Sequence, residues 1–536
     1  MQEAYYIQVI VPLRLEWTPT YRSPGPLEPG TRVTVVFARR SYVGVVWKTG
    51  VTPDIEGSRI QNIVRTEDDL PPVTPEELRF WEFISDYYLC SMGEVYKAAY
   101  PAGKIRSEQT AANVLQRLRS RLAVREEALT KKHKDSVRER LEGEKAAIAA
   151  QIEALTKIPG SARSSRPAPG KPLLLTGGGR SEIYLELCRE TISKGFNALI
   201  LTPEIAASEQ LDSIFEEAFP GQVHCVSSHI TETRRRRIAD DIRCFGGQIV
   251  TGTRSALFLP WSRLGLIIVE NEQDVLFKQT EPSPRYHARD AAVMLGRIHQ
   301  ARVVLGAPSP SLESLHNALK GKYELRRTGT IPPEGTIIDI SAERRKNGMP
   351  GRISRKLIEA ARKAGGPVAF IRGWEKPDEL LEETEKLFPD IPVDILTLQQ
   401  ARLSDLRGYA LIAVLQADAL FPEGDFRADE RAVQALAMLR EQCTGAFIVQ
   451  TAKADHPVFR SGQDIESALL EERRAFGLPP YTRLIDTDFG GHKERLTLPC
   501  DSTLSTRKKQ LLARAQAFEK KSGGRARVTI DVDPIL

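Results

Sequence analysis

The sequence predicts an α/β protein built around parallel sheets with helices on both faces. Three observations carry that reading. The apolar run Leu173-Leu174-Leu175 leads through Thr176-Gly177-Gly178-Gly179-Arg180-Ser181 into a helical pattern, the strand, turn and helix layout of a phosphate site. Five further strand-like runs, Ala198 to Thr202, Val223 to Ser227, Gln248 to Thr251, Leu266 to Val269 and Arg302 to Leu305, alternate with helical segments. An acidic group, Glu270-Asn271-Glu272-Gln273, follows the fourth of these directly. That places it at a strand carboxyl end, where sheets of this kind hold their ligands.

The remaining elements follow in chain order. At 536 residues the chain exceeds the size at which one core stops growing, so three to five domains are expected. The first hundred residues alternate short β-rich runs with Pro and Gly: Ile7 to Val11, Arg32 to Phe37 and Tyr42 to Trp47 read as strands of a small barrel-like module. From Pro75 a helix is predicted, with Leu78, Trp81, Phe83, Ile84 and Tyr87 on its buried face. Between Ser107 and Lys157 the chain is dense in Arg, Lys and Glu and lacks Pro. Val137, Leu141, Ile148, Ile152 and Leu155 recur there in steps of three and four, which predicts one or two long exposed helices turning near Gly143. A linker from Pro159 to Pro172 then enters the nucleotide-type domain.

Composition narrows the function classes. With 27% charged and 41% hydrophobic residues the balance is that of a soluble globular protein, and no run reaches the roughly 18 apolar residues of a membrane span. The amino terminus lacks the pattern of an export signal, so a cytoplasmic location and no membrane partner are expected. Six cysteines without a C-x-x-C pair predict neither a disulfide framework nor a cysteine zinc site. A net charge of +6 mildly favours a polyanionic partner. The run Arg234-Arg235-Arg236-Arg237 does not by itself strengthen that, because on a helix its members point in different directions.

The phosphate loop is present in outline and short of working parts. A functional loop places four residues between its first glycine and the Gly-Lys-Ser/Thr ending, which curls enough backbone N–H groups around a phosphate. Here Gly178 alone separates Gly177 from Gly179, and Arg180 stands in place of the lysine. A planar guanidinium is a poor substitute for a compact ammonium at a crowded site. Of the acidic group, Glu270 can approach a metal, whereas Asn271 cannot serve as a base. Gly177, Gly178, Gly179, Arg180 and Ser181 are thus the candidate nucleotide-binding residues, and Ser181 and Glu270 the positions left for Mg²⁺.

Four blocks carry a family resemblance: Leu201-Thr202-Pro203-Glu204-Ile205-Ala206, Gly252-Thr253-Arg254-Ser255-Ala256-Leu257-Phe258, Arg285-Tyr286-His287-Ala288-Arg289-Asp290 and Asp425-Phe426-Arg427-Ala428-Asp429-Glu430-Arg431. They resemble, in order, motifs of the PriA family, the primosomal superfamily-2 DNA helicases of bacterial replication restart. Arg79 to Cys90 with Gly93 to Tyr96 resembles the end of that family's 3′-DNA-binding domain. Glu471-Glu472-Arg473, Leu478 to Tyr481 and Asp531 to Pro534 resemble its carboxy-terminal domain.

The resemblance implies a 3′-DNA-binding-like domain over 1–105, RecA-like helicase lobes of the P-loop NTPase type over 172–328 and 329–460, and a small α+β domain over 461–536; it does not extend over the charged helical segment and linker, read from composition as 106–171. It implies forked, branched and single-stranded DNA as ligands, and primosome and single-stranded-DNA-binding proteins as partners. The DNA-contacting residues it implies are Trp17 and Tyr21 in the amino-terminal module, Arg254 and Ser255, and Phe277, Lys278, Arg285, Tyr286 and His287 in an aromatic loop.

The chain also departs from the family. Asp-Glu-Glu-His becomes Glu270-Asn271-Glu272-Gln273, the eight zinc-binding cysteines are absent, and Leu436 to Cys443 replaces the segment that would supply an arginine finger. Such a finger is worth roughly 10³ to 10⁵ in rate. The expectation is a protein that holds fork DNA with ATP hydrolysis and unwinding lost, no catalytic residue intact and no zinc. An active ATP-dependent 3′-5′ DNA helicase is the alternative, and a nucleotide-free interaction protein a third.

Overall fold

The computed structural model of the chain describes residues 5–53, 56, 59–101, 111–131, 135–157, 170–227, 230–329, 335–349, 351–460, 464–523 and 525–535. Its amino-terminal unit is an antiparallel sheet in the order Thr20–Ser23, Tyr5–Ile10, Arg40–Thr49, Arg32–Phe37, Arg65–Thr66. Two helices close it, Pro75–Tyr88 and Met92–Ala99. Each starts at a reciprocal cap, Thr74 with Glu77 and Ser91 with Glu94, so orphan N–H groups at both starts are satisfied. Trp81 stacks on Tyr96 at 5.6 Å, and Phe80 meets Phe258 of the next domain at 5.4 Å. The first helix is therefore shared between two cores.

The charged stretch forms two helices, Ala111–Leu129 and Asp135–Lys157, cross-linked by Arg125–Glu144 at 2.6 Å and Lys145–Glu126 at 3.2 Å. The first helix has ended at Leu129, and Gly143 lies inside the second rather than at the turn expected there. A glycine costs a helix roughly 1 kcal/mol, which the neighbouring charge pairs and a docked apolar stripe offset. Leu118 packs on Phe245, with Leu115, Ile152 and Cys244 around them. Residues 107–110, the Leu155 side chain and most of the Pro159 to Pro172 linker lie outside the described residues.

Two RecA-like lobes follow. The first is an all-parallel sheet in the order Glu324–Arg327, Leu173–Thr176, Arg302–Ala307, Leu264–Glu270, Asn197–Leu201, Ile249–Gly252, Val223–Val226. Its central strands are buried on both faces, which explains why they read as continuous apolar runs. Helices Arg180–Ser193, Ile205–Ala218, Glu232–Cys244 and Ala288–His299 connect the strands. The second lobe is parallel in the order Thr336–Asp339, Ala446–Thr451, Leu411–Val414, Val368–Arg372, Val393–Thr397, with helix Ala428–Glu441 leading into Ala446–Thr451.

The carboxy-terminal unit places helix Leu504–Lys521 against an antiparallel sheet ordered His492–Pro499, Thr482–Phe489, Val528–Val532. Its core continues into that of the first lobe and the amino-terminal helices. Among the described residues no helix is long and apolar enough to cross a membrane.

Candidate functional site

The glycine turn is built as the sequence implies. Strand Leu173–Thr176 ends at Gly177, whose φ of +95° is open to glycine without strain, and Gly179 at φ +73° starts the helix that carries Arg180. Arg180 does not face an empty phosphate cradle. Its Nη2 donates to Glu270 Oε1 at 2.5 Å and its Nε to Glu270 Oε2 at 3.3 Å, while Nη1 donates to the Gly177 carbonyl at 2.5 Å, inside the turn. The second lobe completes the cluster: Glu441, at the end of helix Ala428–Glu441, accepts from Nη1 at 2.8 Å and from Nη2 at 3.3 Å. Tyr184, one helical turn beyond Arg180, donates its hydroxyl to Glu270 Oε2 at 2.5 Å.

The electrostatics follow from this geometry. Burial disfavours the charged guanidinium of Arg180, yet Glu270 outweighs burial and raises its pKa well above the ordinary value. Burial would likewise lift Glu270, but the Arg180 guanidinium holds it below the usual carboxylate range. For Glu441 the balance reverses: burial raises its pKa against the pull of Arg180, because Glu270 takes the closer pair. Gly306 makes room for the cluster, since a Cβ there would lie 1.7 Å from the Tyr184 hydroxyl and 2.7 Å from Glu270 Oε2.

In this arrangement the side chains expected to meet phosphate and Mg²⁺ are engaged with one another. Both carboxylate oxygens of Glu270, the expected metal ligand, are taken by Arg180 and Tyr184. The cation expected to reach for phosphate is spent on two carboxylates and on the carbonyl of its own loop. Ser181, Asn271 and Gln273 line a cleft between the lobes, about 820 Å³ in volume, which Arg180, Glu270 and Glu441 also border. Glu272 is elsewhere: fully buried, it accepts from Ser311 N at 2.7 Å, Ser314 Oγ at 2.9 Å and Arg289 Nη1 at 3.3 Å. It anchors the start of helix Leu312–Leu319 rather than facing the cleft. Among the described residues no group of three His, Cys, Asp or Glu side chains is arranged to hold a metal ion.

The residues assigned to DNA separate into exposed and buried sets. Trp17 is 61% exposed and lines a cleft of about 620 Å³ between the amino-terminal and carboxy-terminal units, together with Arg14, Trp47, Arg285 and Arg527. The structure thus unites Trp17 with Arg285, distant in sequence. Tyr21 is buried, with its hydroxyl donating to the Val36 carbonyl at 3.0 Å, so its ring is part of the sheet core and not a wall of that cleft.

Phe277 and Tyr286 are also buried, the latter edge-on to Phe258 at 5.2 Å, and neither offers a ring face to a base. Lys278 is buried, forms an ion pair with Asp531 at 2.6 Å and donates to the Val532 and Arg285 carbonyls at 2.6 and 2.7 Å. It fastens the carboxy-terminal unit to the first lobe instead of meeting phosphate. His287 is half-buried at the start of helix Ala288–His299, and burial beside Arg289 and Lys278 lowers its pKa to about 3. Arg254 donates to the Lys278 carbonyl at 2.6 Å, and among the described residues the neighbouring Ser255 hydroxyl has no hydrogen-bond partner.

Sequence reasoning missed Glu441 and Tyr184. The available signal was a charge swap: where a basic finger is expected after Arg431, the chain offers Glu441, complementary to the unusual Arg180. Nothing local to either residue reveals the pairing.

Comparison with known proteins agrees with the architecture. Residues 8–101 match the family model of the 3′ DNA-binding domain of PriA. The chain is 39% identical to the replication restart protein PriA of Chlamydia pneumoniae over 37% of this chain and 27% of that one. With PriA of Haemophilus influenzae the identity is 28% over 58% of this chain and 56% of that one. The chain thus spans about half the length, or less, of these curated relatives. Similarity to RecG bound to a three-way DNA junction is remote, with 14% identity, a TM-score of 0.35 and coverage of 90% and 71%. In its amino-terminal module and across much of its remaining length, the chain is similar to replication restart proteins PriA.

Proposed function

We propose that this protein binds branched or forked DNA in replication restart, as its PriA relatives suggest, and that it does so without hydrolysing ATP or unwinding DNA. The observation that carries the second half is the Arg180, Glu270 and Glu441 cluster. It places an internal ion pair where a turnover site needs a free lysine, a metal carboxylate and a cationic finger. Loss of three such groups leaves little catalysis even when their contributions are not additive. The first half is supported by the match over residues 8–101 and by the open cleft that joins Trp17 to Arg285. In this reading the lobes serve as a scaffold that presents DNA to other restart proteins in the cytoplasm.

Fork binding and DNA-stimulated phosphate release, measured on one preparation, test both halves. The expected result is salt-dependent fork binding with no phosphate release above a protein-free control. Phosphate release that rises with added fork DNA and saturates with ATP would overturn the second half, and ATP-driven strand separation of the fork would establish the active helicase instead.

A further inference from the structure

The helical hairpin brings together arginines that the sequence scatters. Helix Ala111–Leu129 lies on helix Glu232–Cys244 of the first lobe through Leu118 and Phe245, and Arg117 donates to Asp241 at 3.3 Å across the seam. That register sets Arg121 beside Arg237. Arg117, Arg121 and Arg125 follow one another at helical spacing on the first helix, and Arg234 and Arg237 stand exposed on the second. Among the described residues no carboxylate pairs with Arg121, Arg234 or Arg237, whereas Arg117, Arg125 and Arg236 are each neutralised, by Asp241, Glu144 and Glu232. Burial and then the like charges of Arg237, Arg117 and Arg125 lower the pKa of Arg121, with Asp241 giving the smallest compensation. An uncompensated cluster of this kind calls for an external anion.

We propose that Arg121 and Arg237, at the seam between the hairpin and the first lobe, bind the phosphate backbone of duplex DNA. The inference rests on the DNA-binding reading above and adds a contact made by different residues from those of the Trp17 cleft. A duplex fits better than an unstacked strand. Single-strand sites pair cations with aromatic rings on which bases lie, and the exposed large hydrophobic side chain on the described part of the first helix is the aliphatic Val124. The ridge is also continuous with the turn that carries Arg254 and Ser255, because Arg235 donates to the Ser255 carbonyl at 3.2 Å.

The test is the salt dependence of binding to a blunt duplex and to a fork, for the full chain and for Arg121→Ala/Arg237→Ala. Each phosphate contact contributes about 0.9 to the slope of log K against log salt, so the double variant should have a slope shallower by about two and weaker duplex binding. Arg121→Lys/Arg237→Lys should keep the slope, and the charge-matched Arg345→Ala/Lys346→Ala variant of the second lobe should leave it unchanged. If the unaltered protein binds duplex and fork but the Arg121→Ala/Arg237→Ala slope does not change, the ridge is not a DNA contact and the inference falls while the broader reading stands. If the unaltered protein binds neither DNA at low salt, the DNA-binding reading itself fails.

Discussion

Arg180 decides how the centre of this molecule behaves. It is 5% exposed, and its guanidinium is divided between Glu270 on its own lobe and Glu441 on the other. Breaking a buried pair by removing one partner leaves an uncompensated charge, typically at a cost of about 3–5 kcal/mol. Arg180→Met should approach that loss in urea unfolding, since it leaves the largely buried Glu270 carboxylate without its cation. Glu441→Gln should cost far less, about 1 kcal/mol, because Arg180 keeps Glu270, and an amide oxygen can still accept a hydrogen bond. If the two variants lose equal stability, the cluster is not centred on Arg180, and its claim to replace the nucleotide groups weakens with it.

At the scale of elements, the hairpin meets the first lobe at a small apolar cluster. Leu118 is 1% exposed and, with Phe245, forms the core of a small isolated apolar cluster. Leu118→Glu buries an unpaired carboxylate there and should release the hairpin from the lobe. Backbone hydrogen exchange over Ala111–Leu129 and Asp135–Lys157 is expected to rise while the parallel strands Leu199 to Leu201 and Ile267 to Val269 stay protected. Unchanged exchange in the two helices would mean that other contacts hold them.

The elements themselves were largely legible in the sequence. Doubly buried strands such as Leu264–Glu270 read as apolar runs because both faces are covered, and Thr74 and Ser91 with their glutamates mark helix starts. Gly143 misled because a glycine marks a turn only where the backbone needs its freedom, and here it does not. The site was legible in part. A three-glycine loop with arginine marks a departure from an ordinary phosphate loop, but Glu441 lies 261 residues away and only the packing of one lobe on the other brings it in. Phe277, Lys278 and Tyr286 look like a stacking loop in sequence because aromatic and basic side chains serve cores and bases alike. Burial, which separates the two uses, is a property of the whole fold.

Across the whole molecule the two lobes and the carboxy-terminal unit meet in a buried charge network. Arg427 on the second lobe donates to Glu313 on the first at 2.8 Å, and the Leu312 N–H donates to Glu430 at 3.0 Å. Arg473 of the carboxy-terminal unit reaches Glu430 at 2.9 Å, and Arg431 donates to the Ile535 carbonyl at 2.6 Å. Such a junction trades stability for a fixed arrangement of parts, so pH acts on it with a definable sign.

His287 at this junction is kept neutral, with its pKa lowered by burial and by Arg289 from the ordinary 6.5 to about 3. The unfolded chain therefore binds a proton that the folded chain refuses between those values, and stability falls as pH drops through that window. Asp290, which burial would raise but Arg289 holds down at about 2, and Glu313, lowered mainly by Arg427 against burial, add losses of the same sign below the ordinary carboxylate range. Glu430, raised by burial and by Glu313, opposes them.

The loss of stability above pH 5 thus falls to His287 among these groups, since Asp290 and Glu313 stay ionised there and Glu430 acts with the opposite sign. Thermal midpoints are expected to decline from pH 7 to pH 5 in the natural protein and to decline less in His287→Gln, which has no proton to gain on unfolding. A His287→Gln profile parallel to that of the natural protein through this range would place the acid sensitivity elsewhere and show that the junction tolerates a charged imidazole.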